Sequence, residues 1–135
     1  MKRITLVASL FIATLALVSC GGENDPSSEE SAVEEITDDK ADATAVTVTM
    51  GMTTFSPGHI SIKKGGTVIF TNPSAMAHTV TSGTNSSDPK AGATFDKTVK
   101  PGKTLKLKFK TAGAQNYFCR PHVQFGMKGV VTVTP

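Results

Sequence analysis

The stretch TLKLKFK, residues 104–110, alternates apolar and polar side chains without a break. Successive side chains of a β-strand point to opposite faces, so this alternation predicts a strand with one face in a core and the other in water. Leu105, Leu107 and Phe109 form the inward set, and Lys106 and Lys108 belong to the outward set. A strand of this kind is typical of a sheet that packs on a second sheet or closes into a barrel.

Segments of the same kind lie on both sides of this stretch. Short runs rich in β-branched residues are separated by Gly and Pro, and no segment keeps a helical periodicity over a long run. The pattern predicts an all-β sandwich or barrel, with the polar segment 82–93 as a non-strand excursion. The other predicted strands are VTVTM (46–50), HISIKK (59–64), TVIFTN (67–72), AQNYFC (114–119) and GVVTVTP (129–135).

The chain begins with a segment that is typical of an export signal. Lys2 and Arg3 precede an apolar run, 4–18, that is too short to span a bilayer comfortably. The run ends in LVSC, 17–20, which resembles the lipobox of bacterial lipoproteins. That resemblance implies a signal peptide at 1–19 and a diacylglycerol on the sulfur of Cys20. The protein would then be exported and anchored by lipid to a bacterial cell membrane, on its periplasmic or cell-surface side. An ordinary secretory signal and a transmembrane helix are the alternatives.

The segment 20–45 differs in composition from everything after it. Residues 21–45 carry nine acidic residues and one lysine, for a net charge of −8, and no aromatic residue. Such a segment cannot bury enough apolar surface to fold, so it is predicted to be a disordered tether. Residues 46–135 carry eleven basic and two acidic residues, for a net charge of +9. They are predicted to form one domain with one modest core.

The stretch YFCRPHVQFGM, 117–127, places a thiol, an imidazole and a thioether close together, in Cys119, His122 and Met127. If Cys20 is acylated, Cys119 is a lone thiol in an oxidising compartment, where metal ligation would protect it. A buried inert cysteine is the alternative. Thiolate and thioether are soft ligands and imidazole is borderline, a set that selects copper over hard ions. Zinc has little affinity for a thioether.

Such a site needs one more strong donor, and two other histidines are available. His78 follows the predicted strand TVIFTN, and because loops at one end of a sandwich converge, it can meet the segment that holds Cys119. His59 begins a strand and is predicted to be an ordinary surface residue. Two histidines and one cysteine with a weak axial methionine describe a blue-copper electron-transfer site.

With these four residues, the chain resembles a cupredoxin of the plastocyanin and pseudoazurin type. The resemblance rests on FSPGHISIKKGGTVIFTN (55–72), on His78 and on YFCRPHVQFGMKGVVTV (117–133), and it covers nearly all of 46–135. The spacing Cys-x2-His-x4-Met is that of plastocyanins and pseudoazurins. The resemblance implies a cupredoxin-like Greek-key β-sandwich with one type 1 copper ion. His78, Cys119 and His122 would hold the copper strongly, and Met127 would be the long axial ligand.

The resemblance also implies roles for residues around the copper. Asn72 is expected to tie the His78 loop to the Cys119 loop. Pro121 has no N–H and cannot donate a hydrogen bond to the thiolate, which favours Cu(II). The electron is expected to pass through the exposed edge of His122, inside a small apolar docking patch. The predicted docking patch contains Met76, Ala77, Pro121, Val123 and Phe125.

The predicted function is an electron carrier that cycles one copper between Cu(I) and Cu(II), as a monomer that docks on redox proteins of acidic character. A copper chaperone or store is the alternative, because Met50 and Met52 near His59 could offer further Cu(I) donors. The simpler interpretation buries Met50 and leaves Met52 at a strand end. An enzyme is not expected, since three histidines cannot build a second, catalytic copper centre. Export and the lack of an aromatic stacking platform argue against nucleic-acid binding.

Overall fold

The computed structural model of this chain describes residues 33–35 and 44–135. Within these residues, ten strands form two five-stranded sheets, and the one helix is a 3₁₀ helix at Arg120–Phe125. The prediction of an all-β sandwich is therefore confirmed. The strands are β1 (Val33–Glu35), β2 (Val46–Met50), β3 (Phe55–Ser56), β4 (His59–Lys63), β5 (Thr67–Thr71), β6 (His78–Ser82), β7 (Asp96–Val99), β8 (Thr104–Phe109), β9 (Gly113–Phe118) and β10 (Lys128–Thr134).

The strand order is β1-β8-β5-β2-β3 in the first sheet and β4-β10-β9-β6-β7 in the second. β2 pairs in parallel with β5, and β10 pairs in parallel with β4. The other pairings are antiparallel. Most hydrogen-bonded neighbours are not consecutive in the sequence, so the chain crosses repeatedly between the sheets.

The core lies between the two sheets and is built by the alternation that the sequence displays. In β8, Leu105, Leu107 and Phe109 are buried, whereas Lys106 and Lys108 are half-buried. The first sheet supplies these residues to the core, and the facing side of the second sheet supplies Val80 of β6 and Val131 and Val133 of β10.

An aromatic cluster joins the two sheets. The rings of Phe55 and Phe70 both meet the ring of Tyr117 edge to face, with centroids 4.8 and 5.3 Å away. A Cβ on Gly129 would collide with the Tyr117 ring, so only glycine fits opposite it in β10. The Tyr117 hydroxyl is buried and has no hydrogen-bond partner among the described residues. Burial raises the pKa of this phenol far above its usual value.

The tether prediction is wrong at Val33–Glu35. These residues pair antiparallel with β8, with Val33 opposite Phe109 and Glu35 opposite Leu107. Val33 is 5% exposed and belongs to the core. The acidic composition of the segment as a whole did not reveal that one valine could be buried at the edge of β8.

The rest of the predicted tether up to residue 43, Cys20 and the predicted signal peptide at 1–19 lie outside the described residues. Within the described ranges, no helix is long and apolar enough to cross a membrane.

Candidate metal centre

The segment from Cys119 to Met127 folds into a compact loop between β9 and β10. Cys119 caps the 3₁₀ helix, Pro121 lies in its first turn, and Gly126 ends it with a φ of 85°, a conformation that favours glycine. The Cys119 N–H donates to the Met127 carbonyl at 3.0 Å, and the Met127 N–H donates to the His122 carbonyl at 3.3 Å. These hydrogen bonds close the loop and bring its three predicted ligands together.

His78 meets this loop as the first residue of β6 and is fully buried. Its Nδ1 atom lies 3.6 Å from Cys119 Sγ, and the Nδ1 atom of His122 lies 3.4 Å from the same sulfur. The ligand atoms of these three residues all lie within 4.8 Å of one another. Met127 is fully buried in the loop that holds the cysteine and the second histidine.

Ser74, which the sequence analysis missed, fixes which ring nitrogen of His78 carries the proton. Its Oγ lies 2.9 Å from His78 Nε2, 2.7 Å from Asn72 Oδ1 and 3.1 Å from the Met76 carbonyl. Both oxygens only accept, so one of them takes the serine proton and Ser74 Oγ accepts from the N–H of His78 Nε2. Nδ1, the nitrogen that faces Cys119, therefore carries a free lone pair, as a metal ligand requires. Burial lowers the pKa of His78 and repulsion by His122 lowers it further, which also favours the neutral ring.

Asn72 is buried and uses its whole side-chain amide. Its Nδ2 donates to the carbonyls of Met76 and Val99 at 2.8 and 2.9 Å. Its Oδ1 accepts from the N–H and the hydroxyl of Ser74 at 3.0 and 2.7 Å. The sequence predicted that Asn72 would join the His78 loop to the Cys119 loop. In the structure its side chain instead joins the His78 loop to Val99 in β7. Asparagine side chains often accept from the backbone N–H two residues on, as Asn72 does from Ser74, so an Asx turn expected at Asn72 could have pointed to this residue.

A backbone N–H group reaches the sulfur of Cys119. The backbone N–H of Thr79 points at Cys119 Sγ at 3.4 Å. Sequence reasoning considered only Pro121 and did not identify Thr79 as a donor. Two imidazole nitrogens, a buried thiol and a buried thioether form a soft to borderline donor set, which fits copper better than zinc or a hard ion.

The sequence profile described as "Copper binding proteins, plastocyanin/azurin family" matches residues 42–134. This chain belongs to the plastocyanin/azurin family. His78, Cys119, His122 and Met127 are arranged as a type 1 copper site, so the prediction of one copper ion is confirmed. Plastocyanin-like cupredoxins are electron carriers, which confirms that the chain is not an enzyme.

Plastocyanins and amicyanin are similar to this chain in sequence or in structure. Plastocyanin from Scenedesmus fuscus is 37% identical over 90 residues, which cover 62% of this chain and 89% of that protein. Chloroplastic plastocyanin from Physcomitrium patens is 35% identical over 110 residues, which cover 70% of this chain and 61% of that protein. Among solved structures, a reduced single-site mutant of amicyanin matches with a TM-score of 0.59 and 23% identity, over 76% of this chain and 98% of that chain. This last likeness shows the fold alone, and it confirms the predicted cupredoxin-like sandwich.

Of the residues in the predicted docking patch, Phe125 lies beside His122, the more accessible histidine. His122 is half-buried, whereas His78 is fully buried. Phe125 is 64% exposed, and its ring centroid lies 6.5 Å from that of His122. Met76, Ala77 and Pro121 are exposed, and Val123 is half-buried.

The remaining methionines and the third histidine follow the simpler interpretation of the sequence. Met50 is fully buried in the core, and Met52 is 72% exposed just after β2. His59 is exposed at the start of β4.

Proposed function

We propose that this cupredoxin is an electron carrier that cycles its copper between Cu(I) and Cu(II) and passes single electrons between redox proteins. The observation that supports it best is the enclosure of the site, in which three ligands are fully buried and only His122 reaches toward the surface. Bound copper supplies the one-electron couple. The protein supplies an enclosure that keeps the metal while electrons exchange through one ligand edge.

The hydrogen bonds around the ligands support fast exchange. Ser74 holds His78, the Cys119 carbonyl accepts from the His122 N–H at 3.2 Å, and the Cys119 N–H is bonded to Met127. Ligands that are held in place by surrounding hydrogen bonds need little rearrangement when the charge of the metal changes.

A copper chaperone or store is the second candidate, and the exposed Met52 is the observation that favours it. Handling proteins exchange metal and need an open site. With Met50 buried in the core, Met52 would have to act without its neighbour. The carrier is therefore the better supported function.

The partners that we propose are acidic redox proteins that dock transiently on the docking patch. Exposed apolar side chains around His122 suit a small, short-lived interface. The net charge of +9 over residues 46–135 would attract an acidic partner and orient its approach. The protein is proposed to act as a monomer.

We further propose that the protein is exported and held at a bacterial membrane by lipid on Cys20. The support is the LVSC sequence after the apolar run, followed by the acidic segment. Within this acidic segment, Val33–Glu35 pair with β8. Mass spectrometry of the protein from a membrane fraction tests this, since a processed chain beginning at an unmodified residue would contradict it.

Spectroscopy of the protein from residue 21 onward, loaded with Cu(II), tests the carrier function. We expect an intense visible charge-transfer band, a type 1 EPR signal and a reversible couple in voltammetry. We also expect copper to resist a competing Cu(I) chelator for longer than electron exchange takes. Rapid loss of copper to the chelator would favour the chaperone instead.

A further inference from the structure

Thr79, Thr81, Asp96 and Arg120 form a closed ring of hydrogen bonds beside Cys119. The Arg120 backbone N–H donates to Thr79 Oγ1 at 2.8 Å, and Thr79 Oγ1 lies 3.0 Å from Thr81 Oγ1. Thr81 Oγ1 lies 2.8 Å from Asp96 Oδ1. Asp96 Oδ2 then accepts from Nε and Nη2 of Arg120 at 3.0 and 2.6 Å, which closes the ring.

The three hydrogen bonds that lead from the Arg120 backbone N–H through Thr79 and Thr81 to Asp96 can run in only one direction. A carboxylate accepts and cannot donate, so the single hydroxyl proton of Thr81 goes to Asp96. The proton between the two threonines must therefore come from Thr79, whose oxygen in turn accepts from the Arg120 N–H. The guanidinium of Arg120, and after it the hydroxyl of Thr81, lower the pKa of Asp96, so the carboxylate is ionised at neutral pH. Hydrogen bonds that run in one direction polarise and strengthen one another.

Two residues of the ring are covalent neighbours of predicted copper ligands. Thr79 follows His78, and Arg120 follows Cys119. Thr79 also donates its backbone N–H to Cys119 Sγ, so the residue that takes part in the ring by its hydroxyl reaches the sulfur by its amide. The ring thus connects the first ligand strand to the ligand loop across 41 residues of sequence.

We propose that Thr81 and Asp96 are positioning residues of the copper site, which hold the Thr79 N–H on the thiolate and thereby set the reduction potential. The proposal rests on the proposed electron-carrier function. Neither residue touches a ligand in any contact described above, and both act through Thr79 and Arg120.

The sign of the effect follows from the charge on the sulfur. A hydrogen bond to a thiolate stabilises its negative charge and lessens its donation to the metal. When the ring is open, the Thr79 hydroxyl loses its acceptor and its backbone N–H is held less firmly on the sulfur. The thiolate then donates more strongly, Cu(II) is favoured, and the reduction potential falls.

The test compares charge-neutral and charge-changing variants of the copper-loaded protein from residue 21 onward. Thr81→Val keeps the side-chain shape and the net charge but breaks the ring, and Thr81→Ser restores the hydroxyl. Asp96→Asn replaces one of the two acceptor oxygens in the ring with an NH₂ donor and removes one negative charge. Asp88→Asn is the matched control, because Asp88 is an acidic residue whose hydrogen bonds go to Thr84 and Lys90, outside the ring.

Voltammetry and the energy of the sulfur-to-copper charge-transfer band are the readouts. For Thr81→Val we expect the ratio of Cu(II) to Cu(I) at a fixed applied potential to rise three- to tenfold. A tenfold rise corresponds to a reduction potential lower by about 59 mV for one electron. Thr81→Ser should return to the wild-type value. Asp96→Asn should also lower the potential, although loss of a negative charge alone raises it, as Asp88→Asn should show.

Three results would overturn the proposal. A wild-type potential and band in Thr81→Val, with only a lower unfolding midpoint, would make the ring purely structural. An equal rise of the reduction potential in Asp96→Asn and Asp88→Asn would show that Asp96 acts only through its charge. This result can be obtained even if Thr81→Val does not fold. Absence of a reversible couple in the wild-type protein would refute the electron-carrier function, and this proposal with it.

Discussion

Replacing Asn72 with alanine should destabilise the fold and the copper site together. The side-chain amide of Asn72 makes four hydrogen bonds, to Ser74, Met76 and Val99, and the residue is buried. A hydrogen bond contributes about 1 kcal/mol net, and buried groups that lose a partner cost more. We therefore expect a loss of about 3 kcal/mol in the free energy of unfolding. At about 4–8 °C per kcal/mol for a domain of this size, the melting temperature should fall by about 12–24 °C.

The assay is urea denaturation of the copper-free protein, because bound metal would add its own stabilisation to the folded state. Asn85→Ala is the matched control, since the described contacts of the Asn85 side chain are solvent-exposed ones with Ser87 and Thr84. It should cost no more than about 0.5 kcal/mol. Equal losses in the two variants would refute the argument that Asn72 secures the His78 loop.

Three further changes have expected outcomes. Met127→Leu should keep copper and raise the reduction potential in voltammetry, because a thioether donor is lost and the pocket becomes drier; a lowered potential would count against axial ligation. Tyr117→Phe should raise the free energy of unfolding by about 1 kcal/mol in urea, because the buried hydroxyl has no described partner; a less stable variant would contradict this. A chain from Val33, which keeps β1, should react faster at low salt with an acidic redox protein than one from Gly21, since the four acidic residues of 21–32 compete for the basic surface. The two rates should converge by about 0.5 M salt, where screening acts within a few Å; identical rates at every salt concentration would leave the segment as a spacer.

The sequence predicted those parts of the molecule whose signal is local. The alternation in β8 and the spacing from Cys119 to Met127 are both visible within a dozen residues. Each needs only the pleat of a strand or the reach of a short loop to become structure. The convergence of His78 with this loop followed from the sandwich architecture.

The parts that sequence reasoning missed depend on register between distant strands. Thr81 lies opposite Asp96 because β6 pairs with β7 in one particular register, and no local pattern fixes that pairing. The donation from Thr79 to Cys119 likewise joins residues 40 positions apart. Val33 was missed for another reason, since its neighbours are acidic and its burial depends on the edge that β8 leaves open.

The most direct test of the account is the visible spectrum of the Cu(II)-loaded protein beside that of Cys119→Ser. The intense band of a type 1 site is a charge transfer from the thiolate sulfur to copper, and a serine hydroxyl cannot replace it. We expect the wild-type protein to be blue and the variant to lose the band while its far-UV circular dichroism stays that of a folded β protein. A folded variant that keeps near-wild-type visible absorption would contradict the assignment of Cys119 as the copper thiolate.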